Sequence, residues 1–259
     1  MKENERVVLL AAKGGSSVRI VYQALQAEFE VGRVILENRE ARRTLVKRRA
    51  RKLGYRIVVG QMLFQKLLHP VIRFSARGRI RESQEENLLL DDSIPAEKVL
   101  SVDSVNSEQA RRELRRSRPA VVVVAGTRII SEKTLESVGS VFINMHAGIT
   151  PMFRDVHGGY WALAAGEPEN CGATVHLVDK GIDTGGILYQ SHIEPTDKDN
   201  FATYPLLQIA AGLPLLRKAI EDALQGRITV LPPRDVRSLL WYHRTLWSYL
   251  HNRFRLGVK

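Results

Sequence analysis

The stretch PAVVVVAGTRI (Pro119–Ile129) sets four consecutive valines behind a proline and ends in a glycine turn. A run so evenly apolar and β-branched suits a strand buried on both faces, the condition of a central strand in a parallel sheet. Parallel strands need crossover connections, so strands and helices should alternate along the rest of the chain. They do. RVVLLAA (6–12) reads as a first strand and runs into KGGSSVRIVYQALQAEF, a glycine turn followed by a helix that Ser16 or Ser17 is placed to cap. RVILEN (33–38), YRIVVG (55–60) and KVLSV (98–102) read as further strands, and SVFINMHAG (140–148) follows the valine run as the next. CGATVHLVD (171–179) and GILYQSHIEP (186–195) also have strand character. NFATYPLLQIAAGLPLLRKAIEDALQG (200–226) reads as a helix that Pro214 must bend. The expectation is an α/β fold with a mostly parallel, twisted sheet flanked by helices.

The region at about 39–85 reads as a helical insertion. RRTLVKRRARK (Arg42–Lys52) has seven Lys or Arg in eleven residues, and QMLFQKLLHPVIRFSARGRIRESQEEN (61–87) is an amphipathic helix that Pro70 kinks or ends. The basic helix fits a nucleic-acid or membrane-surface patch, and equally a solvated face. Residues 1–226 then form the main domain, and 227–259 a short basic extension. That extension reads as a last helix with Trp241, Trp247 and Tyr249 among its basic residues. A net charge of +11, from 39 basic and 28 acidic residues, favours anionic partners without choosing among nucleotides, nucleic acid and lipid. The single cysteine, Cys171, rules out an internal disulfide framework and fits a reducing compartment. The apolar run Val7–Ala12 is too short for a signal peptide. No run approaches the roughly 20 apolar residues that span a bilayer. A cytoplasmic location is expected, with any membrane contact peripheral.

Three motifs could carry chemistry. Gly14-Gly15-Ser16-Ser17 would leave free backbone amides at a helix start, which suits a phosphate or is simply a turn. It matches neither the GxGxxG nor the GxxxxGK[ST] pattern. Asn144 and His146, two apart at the end of a strand, point to the same side. The carboxyl end of a central strand is where open α/β sheets bind ligands. VDKGIDTGGIL (Val178–Leu188) bends around three glycines with two carboxylates inside, so Asp179 or Asp183 could meet His146, or either could be a turn former.

Taken together, Asn-x-His closing a strand, a proline-containing loop, and an Asp in a glycine-rich loop 37 positions after the His resemble the folate-dependent formyltransferase family. The resemblance covers about Pro119 to Gln190 and implies a Rossmann-like formyltransferase fold. It assigns the catalytic trio to Asn144, His146 and Asp183. It also assigns the donor-binding loops to Gly126, Thr127, Arg128, Ile129 and Ile130, and to Val178, Asp179 and Ile182. The implied reaction moves a formyl group from 10-formyltetrahydrofolate to a primary amine. Asn144 would donate to the oxygen on which charge develops, His146 would stabilise that charge or shuttle the amine proton, and Asp183 would orient the imidazole. No metal is implied, and the histidines show no ligand-like spacing.

The acceptor divides the family. Only 33 residues follow Gly226, which disfavours the C-terminal domain of methionyl-tRNA formyltransferases, so no nucleic-acid partner is expected. Gly15-Ser16-Ser17 departs from the Gly-Ser-Asn of glycinamide ribonucleotide transformylases, and HGGYWAL departs from their usual run. These departures resemble the sugar-nucleotide N-formyltransferases of surface polysaccharide and O-antigen synthesis. The expected acceptor is therefore a nucleotide-linked 4-amino sugar such as GDP-perosamine. Gly14, Gly15, Ser16 and Ser17 would face its nucleotide, and His157, Tyr160 and Trp161 would line its pocket or, in the structural alternative, belong to a capped helix begun by Gly158-Gly159 with its aromatics in the core. The alternatives are a phosphoribosylglycinamide formyltransferase of purine synthesis and a non-catalytic anion-binding module. Family members are often dimers, which leaves a homodimer open.

Overall fold

The computed structural model describes residues 6–233 and 235–259. The strands are β1 (Val7–Ala12), β2 (Val31–Glu37), β3 (Val99–Val102), β4 (Val121–Ala125), β5 (Val141–His146), β6 (Arg154–Asp155), β7 (Gly172–Leu177), β8 (Ile187–His192) and β9 (Leu240–Trp241). The α-helices are α1 (Ser16–Gln26), α2 (Arg42–Leu53), α3 (Tyr55–Leu63), α4 (His69–Ser75), α5 (Arg77–Glu86), α6 (Glu108–Ser117), α7 (Glu132–Leu135), α8 (Gly158–Ala164), α9 (Tyr204–Leu224) and α10 (Leu246–Arg255). Seven strands form one sheet in the order β3-β2-β1-β4-β5-β7-β8, and β6 pairs with β9 separately. The first five strands of that order run parallel, while β7 and β8 are antiparallel to their neighbours. The valine run is β4, in the middle of the order, as a strand apolar on both sides requires.

Alternation along the strands separates two cores. Leu9, Val123, Ile143 and Val175 pack with α1 and α9 on one face. Leu10, Val122, Val124 and Phe142 pack with Ala110 and Leu114 of α6 on the other. Helix α9 is unbroken from Tyr204 to Leu224 with Pro214 inside it.

Three expectations are corrected. Tyr55–Gly60 is not a strand but the start of α3, whose buried positions, Val58, Gly60, Gln61 and then Phe64, lie to one side of a helix. Of the two outcomes expected at Pro70, a kink or an end, the end is excluded. A π-helical turn at Phe64–Leu68, in which the His69 amide donates to the Phe64 carbonyl five residues back, precedes the proline and carries the chain on into α4. Trp241 is not helical. Leu240–Trp241 pair in parallel with Arg154–Asp155, and among the described residues of the extension only Leu246–Arg255 form a helix. The tail is thus docked onto the loop that follows β5.

Candidate active site

Strand β5 builds the site. Ile143 faces the α9 side and Phe142 the opposite side, so Asn144 and His146 follow Phe142 to the face away from α9. On that face Asn144 stands directly across from His176 of β7 and beside Val124 of β4. Asn144 Nδ2 lies 3.0 Å from His176 Nε2 and donates to Asp183 Oδ1 at 3.2 Å. The Leu177 carbonyl, 2.7 Å from His176 Nδ1, places the proton there in the neutral ring, which leaves Nε2 to accept from Asn144.

His146 is buried, and its Nε2 lies 2.8 Å from the Phe153 carbonyl, which can only accept. The neutral ring therefore keeps its lone pair on Nδ1, 3.4 Å from Asp183 Oδ2. That separation is long for a hydrogen bond and short for a charge pair. The close contact with Phe153 depends on Gly148. A Cβ there would strike the Phe153 carbonyl and stand 2.7 Å from His146 Nε2.

Asp183 adopts a left-handed backbone, φ 51°. Its Oδ2 accepts from the Asp155 amide at 2.9 Å, and Arg154 Nη1 donates to the Ile182 carbonyl at 3.0 Å, tying the glycine-rich loop to the loop after β5. Asp179 does not reach His146. Its carboxylate is engaged by the Gly181 amide at 2.9 Å and by the Thr184 hydroxyl at 2.7 Å, which shapes the loop.

The charges follow from this packing. Burial depresses the His146 pKa, opposed by the Asp183 charge and the Phe153 carbonyl, so the resting ring is neutral. Burial would raise Asp183, but the imidazoles of His176 and His146 when they carry a proton towards it, and the Asp155 amide throughout, outweigh burial and hold the carboxyl below the usual carboxylate range. Asp155 goes the other way, pushed up to about 6 by burial and then by Asp183, against Arg49 and Lys52 of α2. Two neighbouring carboxyls with pKa values driven apart mark a site able to handle protons near neutrality. Asp155 also holds φ 79°, a conformation that costs a non-glycine residue energy and collects at functional sites.

A cavity of about 370 Å³ joins these groups. Asn144, His146, Asp183 and His157 line it, as do Gly126 to Ile130 and Val178, Asp179 and Ile182. Glu37, buried at the end of β2, fixes the first of these loops by accepting from the Arg128 amide at 3.0 Å and the Val105 amide at 2.9 Å. The Arg128 side chain turns into the scaffold, donating to the Asp103 and Asn38 carbonyls, so this residue offers the cavity its backbone.

The structure separates the other expected acceptor residues from this cavity. Gly14, Gly15, Ser16 and Ser17 sit outside it at the end of β1, where Arg39 donates to the Lys13 and Gly14 carbonyls. Tyr160 is 2 % exposed and belongs to an aromatic core with Phe64, Phe201 and Tyr249. Trp161 packs on Trp241 and donates to the Tyr242 carbonyl. The Arg244 guanidinium lies 3.8 Å from the Trp161 ring centroid and 4.7 Å from that of Tyr160. Both aromatics therefore clamp the tail down. His157 faces both sides. It lines the cavity and stands 3.1 Å from His243, with its pKa pushed down to about 3 by burial and then by His243.

Sequence reading missed His176, Asp155 and Glu37. His176 left one signal, a polar residue inside an otherwise apolar strand, whereas Asp155 and Glu37 acquire their roles from backbone conformation and register. Among the described residues no cluster of His, Cys, Asp or Glu could hold a metal, and no helix is long and apolar enough to cross a membrane.

Residues 5–205 match the family described as formyl transferase, and the chain belongs to that family. A methionyl-tRNA formyltransferase of Thermodesulfovibrio yellowstonii is 35% identical over 111 residues, 43% of this chain and 36% of the relative. The chain thus spans less than half the length of that relative. A phosphoribosylglycinamide formyltransferase from Anaplasma phagocytophilum superposes with a TM-score of 0.57 at 21% identity, over 88% of this chain and 91% of the other. A 4-N formyltransferase from Francisella tularensis does so with a TM-score of 0.51 at 16% identity, over 89% and 74%. At these identities the structural likeness establishes the fold alone.

Proposed function

We propose that the chain is an N-formyltransferase that carries a formyl group from 10-formyltetrahydrofolate to the primary amine of a nucleotide-linked amino sugar. The observation that carries the reading is that Asn144, His146 and Asp183 share one cavity with Gly126 to Ile130 and with Val178, Asp179 and Ile182, which the family resemblance assigns to the donor.

The residues present fit a folate. Gly126, at φ 67° with open space where a Cβ would stand, leaves a shelf of bare backbone for the polar edge of a flat ring. Val124 and Ile130 supply apolar contact. Gly126 to Ile130 would hold the ring, and Val178, Asp179 and Ile182 would close over it. The donor supplies an activated formyl group. The two N–H groups of Asn144 are held by His176 and Asp183, and one of them is released to the oxygen that gains charge, a contact worth roughly 3 kcal/mol in comparable sites. Neutral His146 takes the amine proton on Nδ1, Asp183 holds the resulting imidazolium, and the proton would pass on to the departing donor nitrogen as its bond to the formyl carbon breaks.

A phosphate-bearing acceptor is favoured by α2. Thr44, Lys47, Arg48, Arg51 and Lys52 line a basic groove, and Arg49 and Lys52 of the same helix act on Asp155 in the catalytic cavity. This helix replaces the Gly14–Ser17 turn as our assignment for the anionic end of the acceptor. The 35% identity to a methionyl-tRNA formyltransferase supports a second reading, in which that helix meets tRNA. Mass spectrometry of mixtures containing 10-formyltetrahydrofolate and GDP-, dTDP- or UDP-linked amino sugars, glycinamide ribonucleotide or methionyl-tRNA tests the choice. Formylation of a sugar nucleotide is expected, and exclusive formylation of glycinamide ribonucleotide or methionyl-tRNA would replace it.

A further inference from the structure

We propose that the outer face of the helical run Tyr55–Ser75, together with α10, docks on an anionic lipid bilayer. The run is helical throughout, as α3, the π turn and α4. Val58, Gln61, Phe64 and Ile72 face inward and are buried. On the outer side Tyr55, Val59, Leu67, Val71 and Phe74 recur at spacings of one or two helical turns, with Tyr55 75%, Leu67 59% and Phe74 67% exposed. Helix α10 adds a second stripe, Trp247, Leu250 and Phe254, with Phe254 81% exposed. The two stripes adjoin. A Cβ at Gly60 would run into the Trp247 indole, and the rings of Phe64 and Tyr249 pack 5.1 Å apart beneath. An apolar surface of this extent, made by two helices side by side, marks an interaction site.

Charge selects the occupant. Between residues 41 and 81 the sequence holds thirteen Lys or Arg and no Asp or Glu, and no acidic residue follows Asp235. Arg48 pairs with Glu40, and Arg79 with Glu82, Glu86 and Asp199. Arg56, Lys66, Arg73 and Arg77, and Arg253 and Arg255 on α10, have no carboxylate partner among the described residues. A second copy of the chain docked here would bring two such cationic rims together, which like-charge repulsion opposes. A nucleic acid would neutralise the cations and leave Leu67, Val71 and Phe254 in water. An anionic bilayer surface satisfies both features, with headgroups against the cations and the acyl boundary against the apolar stripes. Tyr55 and Trp247 suit such an interface, each combining an apolar ring with a polar tip. The docking is peripheral, since no helix among the described residues can span a bilayer. Its inner side reaches the active site, because Phe64 packs on Phe201 at 5.0 Å and Phe201 on the cavity-lining His157 at 4.6 Å.

Flotation of the full chain with vesicles tests the assignment. Binding is expected to vesicles of phosphatidylcholine with about one-third phosphatidylglycerol, weakened by salt, and not to phosphatidylcholine alone. Two variants separate the contributions, Leu67→Ser/Phe74→Ser/Phe254→Ser and Lys66→Gln/Arg73→Gln/Arg77→Gln. Each should lower the partition coefficient about 100-fold, with an unchanged melting temperature and unchanged formyl transfer to a soluble acceptor. Failure to bind either vesicle, equal binding to both, or binding unaltered in the two variants would overturn the proposal. So would a dimer in sedimentation that the triple serine variant abolishes, which would assign the face to a second copy.

Discussion

Asp183→Asn separates the charge of the site from its shape. Asparagine accepts the left-handed backbone at φ 51° as aspartate does and can keep its one oxygen on the Asp155 amide, so the loop stays in place while the bond from Asn144 is lost. The substitution removes a negative charge 3.4 Å from His146 Nδ1. At that distance and an effective dielectric constant of about 20, the bare pair is worth about 5 kcal/mol. Competing solvation reduces this to a shift of about one to three pKa units on the imidazole. The direction is fixed by the packing. Burial already depresses His146 and Asp183 opposes it, so losing the carboxylate drives the pKa lower still. The imidazolium that must receive the amine proton becomes harder to form, and kcat should fall by about 10²- to 10⁴-fold with little change in KM. The acid limb of the pH profile, set by protonation of resting His146, should move to lower pH. Formyl transfer followed by acceptor mass across the pH range measures both quantities, and NMR titration of the His146 ring measures the shift directly. Turnover within about tenfold of wild type and an acid limb at the same pH would refute the proton-acceptor role.

Gly148→Ala sets a methyl against the Phe153 carbonyl and His146 Nε2, and should cost about 1–3 kcal/mol in denaturant unfolding and lower kcat at the same time. Glu37→Ala leaves the buried Val105 and Arg128 amides without their acceptor, at about 1–3 kcal/mol each, and should raise KM for the formyl donor more than it lowers kcat. Asp155 has a folded pKa of about 6, above its unfolded value, so the folded state binds the extra proton and stability declines as pH rises from about 4 to about 6. Asp155→Asn should flatten that decline in denaturation midpoints recorded across the range. Asn144→Ala and His146→Ala should abolish transfer with the fold intact by circular dichroism, and near-normal turnover in both would favour a binding module.

The sheet was legible because its information is local. Four valines in a row specify a central strand wherever the chain places them, and the strands from β1 to β8 that enter the main sheet were all found from such runs. Tyr55–Gly60 misled because β-branched content does not reveal what a segment packs against, and here the partners are α10 and the carbonyl of His243. Asn144 and His146 announced themselves by spacing within one strand. Between Asp179 and Asp183 the residues left a choice that only the family resemblance made; the structure shows the physical difference, since Asp179 is consumed by Gly181 and Thr184. His176 went unread because its place opposite Asn144 is a matter of cross-strand register. For Tyr160 and Trp161 the residues left a choice between pocket and helix core, and nothing in their neighbourhood foretold that Arg244, more than eighty positions away, would pack over them and decide it.

The two-residue ladder between Arg154–Asp155 and Leu240–Trp241 has a practical consequence for protein engineering. The matched family region stops at residue 205, yet the backbone that presents Asp155 is paired with a segment beyond it. Chimeras with relatives joined near residue 205 would transplant Asn144, His146 and Asp183 and leave behind the brace of one cavity wall. For recombination or loop grafting, residues 151–161 and 236–249 are best moved as one cassette.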